Sequence, residues 1–204
     1  MGKSNVELNK QMTPPKLPQQ WSSSYISYWS PMQPEEHITS GYCWFDYSKN
    51  VCRIDGLFNP WSEEKTGHRL WMSEIMYPGT NESFKAKVAY SRAHMDKQSE
   101  FTGEVLNDEV DPCHELILMQ DVLQTCNAEY QGTCEVLGFE ADIWHFQRPN
   151  SKGPATYYLK AGTNELLRMV TGDPKVMASV RDFPNFNTRE IDADIFKHEP
   201  LKQA

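Results

Sequence analysis

The chain has no Cys-x-x-Cys pair, no cluster of Lys and Arg, and no glycine-rich phosphate loop among its 204 residues. It also has no apolar stretch near the roughly 18 residues that a membrane span requires. Each absence excludes something. The five cysteines, Cys43, Cys52, Cys113, Cys126 and Cys134, are an odd number without metal-ligand spacing, so free thiols in a reducing cytoplasm are expected. The polar opening MGKSNVELNKQMTPPK offers no apolar core for a secretory signal. The formal net charge is -8, and the densest basic stretch is only a scattered Lys85, Lys87 and Arg92. Neither a phosphate backbone nor an anionic lipid surface finds a positive footprint there, so nucleic acid and membrane are not expected partners.

Catalytic signatures are missing too. GxGxxG, the P-loop and GxSxG do not occur. The six histidines show no HxH or HExxH spacing. In Cys113-His114-Glu115 the middle residue of a strand would face away from its neighbours, so no metal site is expected there. No cofactor is expected either. An enzyme of this composition would work by orientation, proton transfer and exclusion of water.

What is present is aromatic. Six Trp, nine Tyr and nine Phe favour strands and sites that hold flat ligands. Period-two alternation and turn residues predict strands over 22–30, 41–47, 51–58, 69–76, 84–92, 114–119, 135–139, 143–148, 155–160, 166–171 and 176–182. Ser48-Lys49-Asn50 and Ala161-Gly162-Thr163-Asn164 read as hairpin turns. Helical signals are confined to a short turn over 121–127 and a C-terminal helix over 191–197. Residues 1–20, polar and holding Pro14, Pro15 and Pro18, read as a disordered leader; 21–198 read as a single domain and 199–204 as a frayed tail. With no βαβ alternation, the expected architecture is mostly β: a curved antiparallel sheet curling into a barrel or half-open barrel with a short helical element.

Alternation also assigns faces. Tyr25, Ser27 and Trp29 share one; Cys52, Ile54, Gly56 and Phe58 share another. Leu70, Met72, Glu74 and Met76 line one side of the fourth strand. A carboxyl in such a row must be paired or have its proton held more tightly, as a general acid/base near neutrality requires. The ordinary alternative is a solvated strand-end glutamate. Arg181 shares a face with Met177 and Ser179, which suits a fork that grips a carboxylate, or else a snorkelling surface arginine. In GLFNPW, Phe58 could stack on an aromatic ligand and the Asn59 amide could bond a polar edge; an ordinary exit into a turn is the alternative.

Seven segments carry a resemblance: WSSSYISYWSPM (21–32), TSGYCWFDY (39–47), VCRIDGLFNPWSE (51–63), TGHRLWMSE (66–74), KVAYSR (87–92), LRMVTGD (167–173) and VRDFPN (180–185). In that order, they strongly resemble the VioE family of violacein-biosynthesis enzymes, from about residue 21 to about 196. The resemblance implies a cofactor-free homodimeric enzyme on a partial barrel similar to bacterial lipoprotein carriers. It implies a bisindole substrate, the imine dimer of indole-3-pyruvate, and a 1,2-shift of one indole to give protodeoxyviolaceinate in place of spontaneous chromopyrrolate. A transient contact with the upstream enzyme that forms the dimer is compatible with it. Carried over residue by residue, Tyr25, Ser27 and Glu74 become the expected catalytic residues, and Phe58, Asn59 and Arg181 the expected substrate-binding ones. The leader 1–11 is longer than the resemblance implies, and the segments 77–82 and 96–111 are acidic and match poorly. The rival expectation is a non-catalytic carrier of an apolar aromatic ligand.

Overall fold

The computed structural model describes residues 12–33, 38–57, 68–77, 83–91, 102–105, 119–149 and 151–197. Among the described residues, eleven strands form one antiparallel sheet: β1 (Gln20–Ser30), β2 (Thr39–Asp46), β3 (Val51–Leu57), β4 (His68–Met76), β5 (Ser83–Ser91), β6 (Thr102–Val105), β7 (Glu129–Val136), β8 (Phe139–Gln147), β9 (Pro154–Lys160), β10 (Leu166–Asp173) and β11 (Met177–Asp182). Their order is β6-β5-β4-β3-β2-β1-β11-β10-β9-β8-β7. Each half is therefore a meander of neighbouring hairpins. The two meanders are joined by one long-range pairing, β1 with β11, while β6 and β7 remain the ends of an open sheet. The mostly β, half-open architecture expected from alternation is the one observed.

The principal core lies on one side of the sheet. Trp21, Cys43, Phe45, Cys52 and Ile54 from the first meander meet Trp144, Phe146, Tyr157 and Met169 from the second in the principal core. The single helical turn α1 (Val122–Thr125) caps this side with Val122 and Leu123. Trp21 is the centre: its ring stacks on Phe45 at 4.4 Å and on Phe186 at 4.8 Å, with Phe183 edge-on at 5.8 Å.

The chain after β11 continues alongside the first half of β1. Ser22 and Asn187 exchange backbone hydrogen bonds of 2.9 Å, and the tail then crosses to the outer side of the sheet. There a 3-10 turn (Ala193–Phe196) lies with Ile191 against Val51 and Ile75, and the Arg53 guanidinium donates to the Ile195 carbonyl at 2.8 Å.

Some sequence expectations need correcting. The expected strand over 135–139 is broken at its middle: Val136 pairs with Phe139 across a two-residue turn in which Leu137 and Gly138 both have positive φ, 52° and 79°. The apolar run there hides a tight hairpin turn of the type that matches strand twist. β6 and most of β7 have no counterpart among the expected strands; β7 is largely exposed and shows no clean alternation of apolar residues. The C-terminal helix is shorter than expected and of 3-10 type. Within the expected leader, residues 12–19 carry no regular structure, yet Leu17 is buried in the core and its N–H donates to the Gln120 carbonyl at 2.8 Å. The expected strand over 114–119 lies outside the described residues except for Met119, which carries no regular structure.

Candidate active site

The core side of the sheet is crossed by rows of residues in register. One row runs Trp21–Phe45–Cys52–Met76 across β1, β2, β3 and β4. The next runs Ser23–Cys43–Ile54–Glu74, and the next Tyr25–Gly41–Gly56–Met72. Beyond it Ser27 stands opposite Arg181 of β11, which stands opposite Met169 of β10. Four of the six expected site residues, Tyr25, Ser27, Glu74 and Arg181, thus project from one face of the sheet in adjacent rows. Phe58 and Asn59 lie outside the described residues.

The four sit in different surroundings. Arg181 is 8% exposed and Tyr25 4%. Burial pushes the Tyr25 phenol well above its ordinary value; the neighbouring Cys43 adds to the rise, and the Arg181 charge opposes it. The hydroxyl is therefore protonated at any ordinary pH and acts as a donor, not as a phenolate base. Cys43 is likewise driven up by burial, and its thiol donates to the Ser23 carbonyl at 3.4 Å. Burial, and next the charge of Glu74, pushes the Cys52 thiol up to about 12. Neither thiol is a nucleophile in this state. Glu74 is half-buried, not sealed, and the sequence argument that Leu70 and Met72 enclose it falls on side chains outside those described. Ser27 is half-buried beside Arg181.

Sheet geometry defines how far these groups must reach. β1 and β4 are three strand spacings apart, roughly 14 Å along the sheet. Tyr25 spans about half of that width, because the two residues beside it in its row are glycines. A Cβ at Gly41 would lie 2.7 Å from the Tyr25 hydroxyl oxygen, and a Cβ at Gly56 only 2.4 Å from it. The ring thus lies down over β2, and its hydroxyl reaches β3, next to the strand that carries Glu74. Sequence reasoning put Gly56 on this face but missed its alignment with Gly41. The two are symmetric about the four-residue turn over 47–50, whereas the expected three-residue turn Ser48-Lys49-Asn50 shifts the register by one and sets Gly41 opposite Leu57, which is why the alignment was missed.

The arrangement offers a buried guanidinium for a carboxylate, a protonated phenol, an alcohol, and a carboxylate at the far side. Cys43, Ile54 and Met169 stand in the same or adjoining rows. Among the described residues, no group of three or more His, Cys, Asp or Glu side chains is placed to hold a metal ion. Cys113, His114 and Glu115 lie outside them. No helix among the described residues is long and apolar enough to cross a membrane.

Residues 14–196 match the profile of the violacein biosynthetic enzyme VioE. The chain belongs to the VioE family. VioE membership places it in violacein biosynthesis, and the matched span covers all six expected site residues. No curated protein sequence matches it at a significant level. Among solved structures it is similar to an uncharacterised conserved protein from Thermus thermophilus, at 11% identity and a TM-score of 0.51 over 90% of this chain and 87% of that one. It is also similar to the LolA superfamily protein NE2245 from Nitrosomonas europaea, at 10% identity and a TM-score of 0.40 over 90% and 92% of the two chains. At such identities the likeness concerns the fold alone.

Proposed function

We propose that this VioE-family chain converts the imine dimer of indole-3-pyruvate into protodeoxyviolaceinate through a 1,2-shift of one indole, without a cofactor. The observation that supports the reading most is the common face shared by Arg181, Ser27, Tyr25 and Glu74, within a chain of this family. In the proposed complex, Arg181 binds a carboxylate of the dimer with its planar fork, and Ser27, its neighbour across the strands, holds an adjacent polar edge. The Tyr25 hydroxyl donates to the reacting portion. Glu74 moves a proton between imine and enamine tautomers, and its partial exposure gives it a path for exchanging that proton with water. Phe58 and Asn59 complete the site by stacking and by an amide hydrogen bond.

In the shift, one C–C bond to indole is exchanged for another at the neighbouring carbon, so positioning is the protein's main task. Because the competing collapse to chromopyrrolate is spontaneous, selectivity needs only a relative acceleration. A factor of ~10³ corresponds to about 4 kcal/mol of barrier. The same reading includes a homodimer acting in the cytoplasm, which sedimentation and cell fractionation would test.

The deciding experiment forms the imine dimer in situ from tryptophan with the two preceding enzymes and adds wild type or Glu74→Gln. Products are then separated by chromatography and mass. The expected result is the indole-shifted product with wild type, and a loss of about 10²-fold or more with Glu74→Gln. Chromopyrrolate alone with both proteins, or binding without conversion, would leave a carrier and end the catalytic reading.

A further inference from the structure

We infer that Gly56 is a positioning residue: its missing side chain is what lets the Tyr25 hydroxyl lie over β3, within one strand of Glu74. The inference rests on the proposed role of Tyr25 as a donor to the bisindole.

Glycine is a poor strand former, and two glycines in register on adjacent strands need a reason. Backbone conformation is not that reason, since neither Gly41 nor Gly56 is among the residues with positive φ. Space is. At an ordinary row position the Cβ atoms stand up from the sheet about 5 Å apart and hold any large neighbour upright. Beside Tyr25 both are absent, and the ring occupies their place.

The two glycines nevertheless do different work. A Cβ on Gly41 would lie 2.0 Å from the Asp55 carbonyl oxygen and 2.8 Å from the Gly56 Cα, so Gly41 is needed for β2 and β3 to approach at all. A Cβ on Gly56 would meet the Tyr25 hydroxyl first, at 2.4 Å, and the Ser40 carbonyl only at 2.9 Å. A methyl at Gly56 therefore displaces the far end of the Tyr25 side chain most, and presses to a smaller extent on the Ser40 carbonyl, which must also give way. It lifts the hydroxyl away from β3 and into the space that a ligand held by Arg181 would occupy. Glu74 stands opposite Ile54, two residues along β3 from Gly56, so the displaced hydroxyl also leaves the carboxylate's vicinity.

The test compares wild type, Gly56→Ala, Tyr25→Phe and the double variant. Two quantities are read: the thermal midpoint, and the ratio of shifted to spontaneous product at rising protein concentration. The concentration dependence separates affinity from the ratio at saturation. Gly56→Ala is expected to lower the saturating ratio by about a hundredfold, as misplacement by an ångström can, while the concentration needed changes little. Its thermal midpoint also falls. Removing the hydroxyl relieves the clash, so the double variant should return to within about 2 °C of Tyr25→Phe alone, with no gain in product. Should Gly56→Ala fail to fold, folding of the double variant carries the same meaning.

A wild-type product ratio from Gly56→Ala overturns the inference. So do thermal losses that simply add in the double variant, or a double variant that fails to fold, since the Ser40 carbonyl would then be the obstacle. If wild type itself forms no shifted product, the proposed function falls, and the thermal coupling alone decides whether Gly56 places the hydroxyl.

Discussion

Two rows of the same sheet, four residues apart on β1, are built to opposite ends. In the row Trp21–Phe45–Cys52–Met76 every position is filled and buried, and Trp21 is clasped between Phe45 and Phe186. In the row that begins at Tyr25 the next two positions are glycines, and one side chain lies across both. Strands, face and pairing are shared, so the difference is composition alone. The filled row turns apolar area into stability. The emptied row gives up two side chains, and the Tyr25 phenol, itself buried, fills their place. Among the described residues, one face of a half-open sheet thus carries the core and the candidate site side by side.

The comparison can be broken most severely from the filled side. Trp21→Ala should cost about 3–5 kcal/mol, because it removes the ring around which Phe45, Phe183 and Phe186 are arranged. Urea unfolding measures it, and a loss under about 1 kcal/mol would mean that the site end also carries the core. On the site side, Arg181→Met should leave a folded protein that binds the bisindole about ten- to a hundredfold more weakly, the worth of charge-assisted hydrogen bonds. Arg181→Lys should recover part of that affinity by its charge and not the remainder, for lack of the fork. Titration calorimetry with a stable bisindole dicarboxylate distinguishes the three proteins. Unchanged affinity in Arg181→Met would remove Arg181 from the site.

The smallest effect concerns the hairpin that sets the register of both rows. Asp46 is fully buried; its carboxylate accepts from the Gln20 side chain at 2.8 Å and the Ser48 N–H at 3.0 Å, and pairs with Lys49 at 3.1 Å. Burial alone would raise its proton affinity, but the hydrogen bonds from Ser48 and Lys49 outweigh it and hold the carboxyl below its ordinary value. A lowered value in the folded state stabilises fully above the ordinary carboxylate range, and that contribution is lost as pH falls through the lowered value. Asp46→Asn should therefore cost about 1–2 kcal/mol at neutral pH and progressively less in acid. Denaturant midpoints followed from neutral pH downward test the sign; a gap between the proteins that widened in acid would contradict it.

Much of this is legible in the residues. Strands β1 to β5 and β9 to β11 announce themselves by alternation, and Ser48-Lys49-Asn50 marks the turn between β2 and β3, although that turn also takes in Tyr47 and so sets the register one residue differently. Tyr25 with Ser27, Glu74 with Met76, and Arg181 with Ser179 fall on the right faces for the same reason. Other features are hidden. Leu137 is apolar and alternation assigns it to a strand, although it sits in a left-handed turn conformation at 39% exposure. β7 is polar along most of its length, because as the edge of the sheet it buries little. Neighbours along its own strand put Glu74 in an apolar row, whereas its exposure depends on what lies above the sheet.

By itself the sequence determined a cofactor-motif-free β chain, its hairpins, the period that separates its two faces, and the segments that mark the VioE family. Those properties are local, since alternation and turn chemistry act over a few residues. Only the tertiary structure decided that β11 pairs with β1, which sets Arg181 beside Ser27 and unites two meanders into one face. It alone also decided that Tyr25 lies down across Gly41 and Gly56. Contacts of that kind join residues distant in the chain, and they form only when the sheet's burial outweighs the entropy of bringing its two halves together.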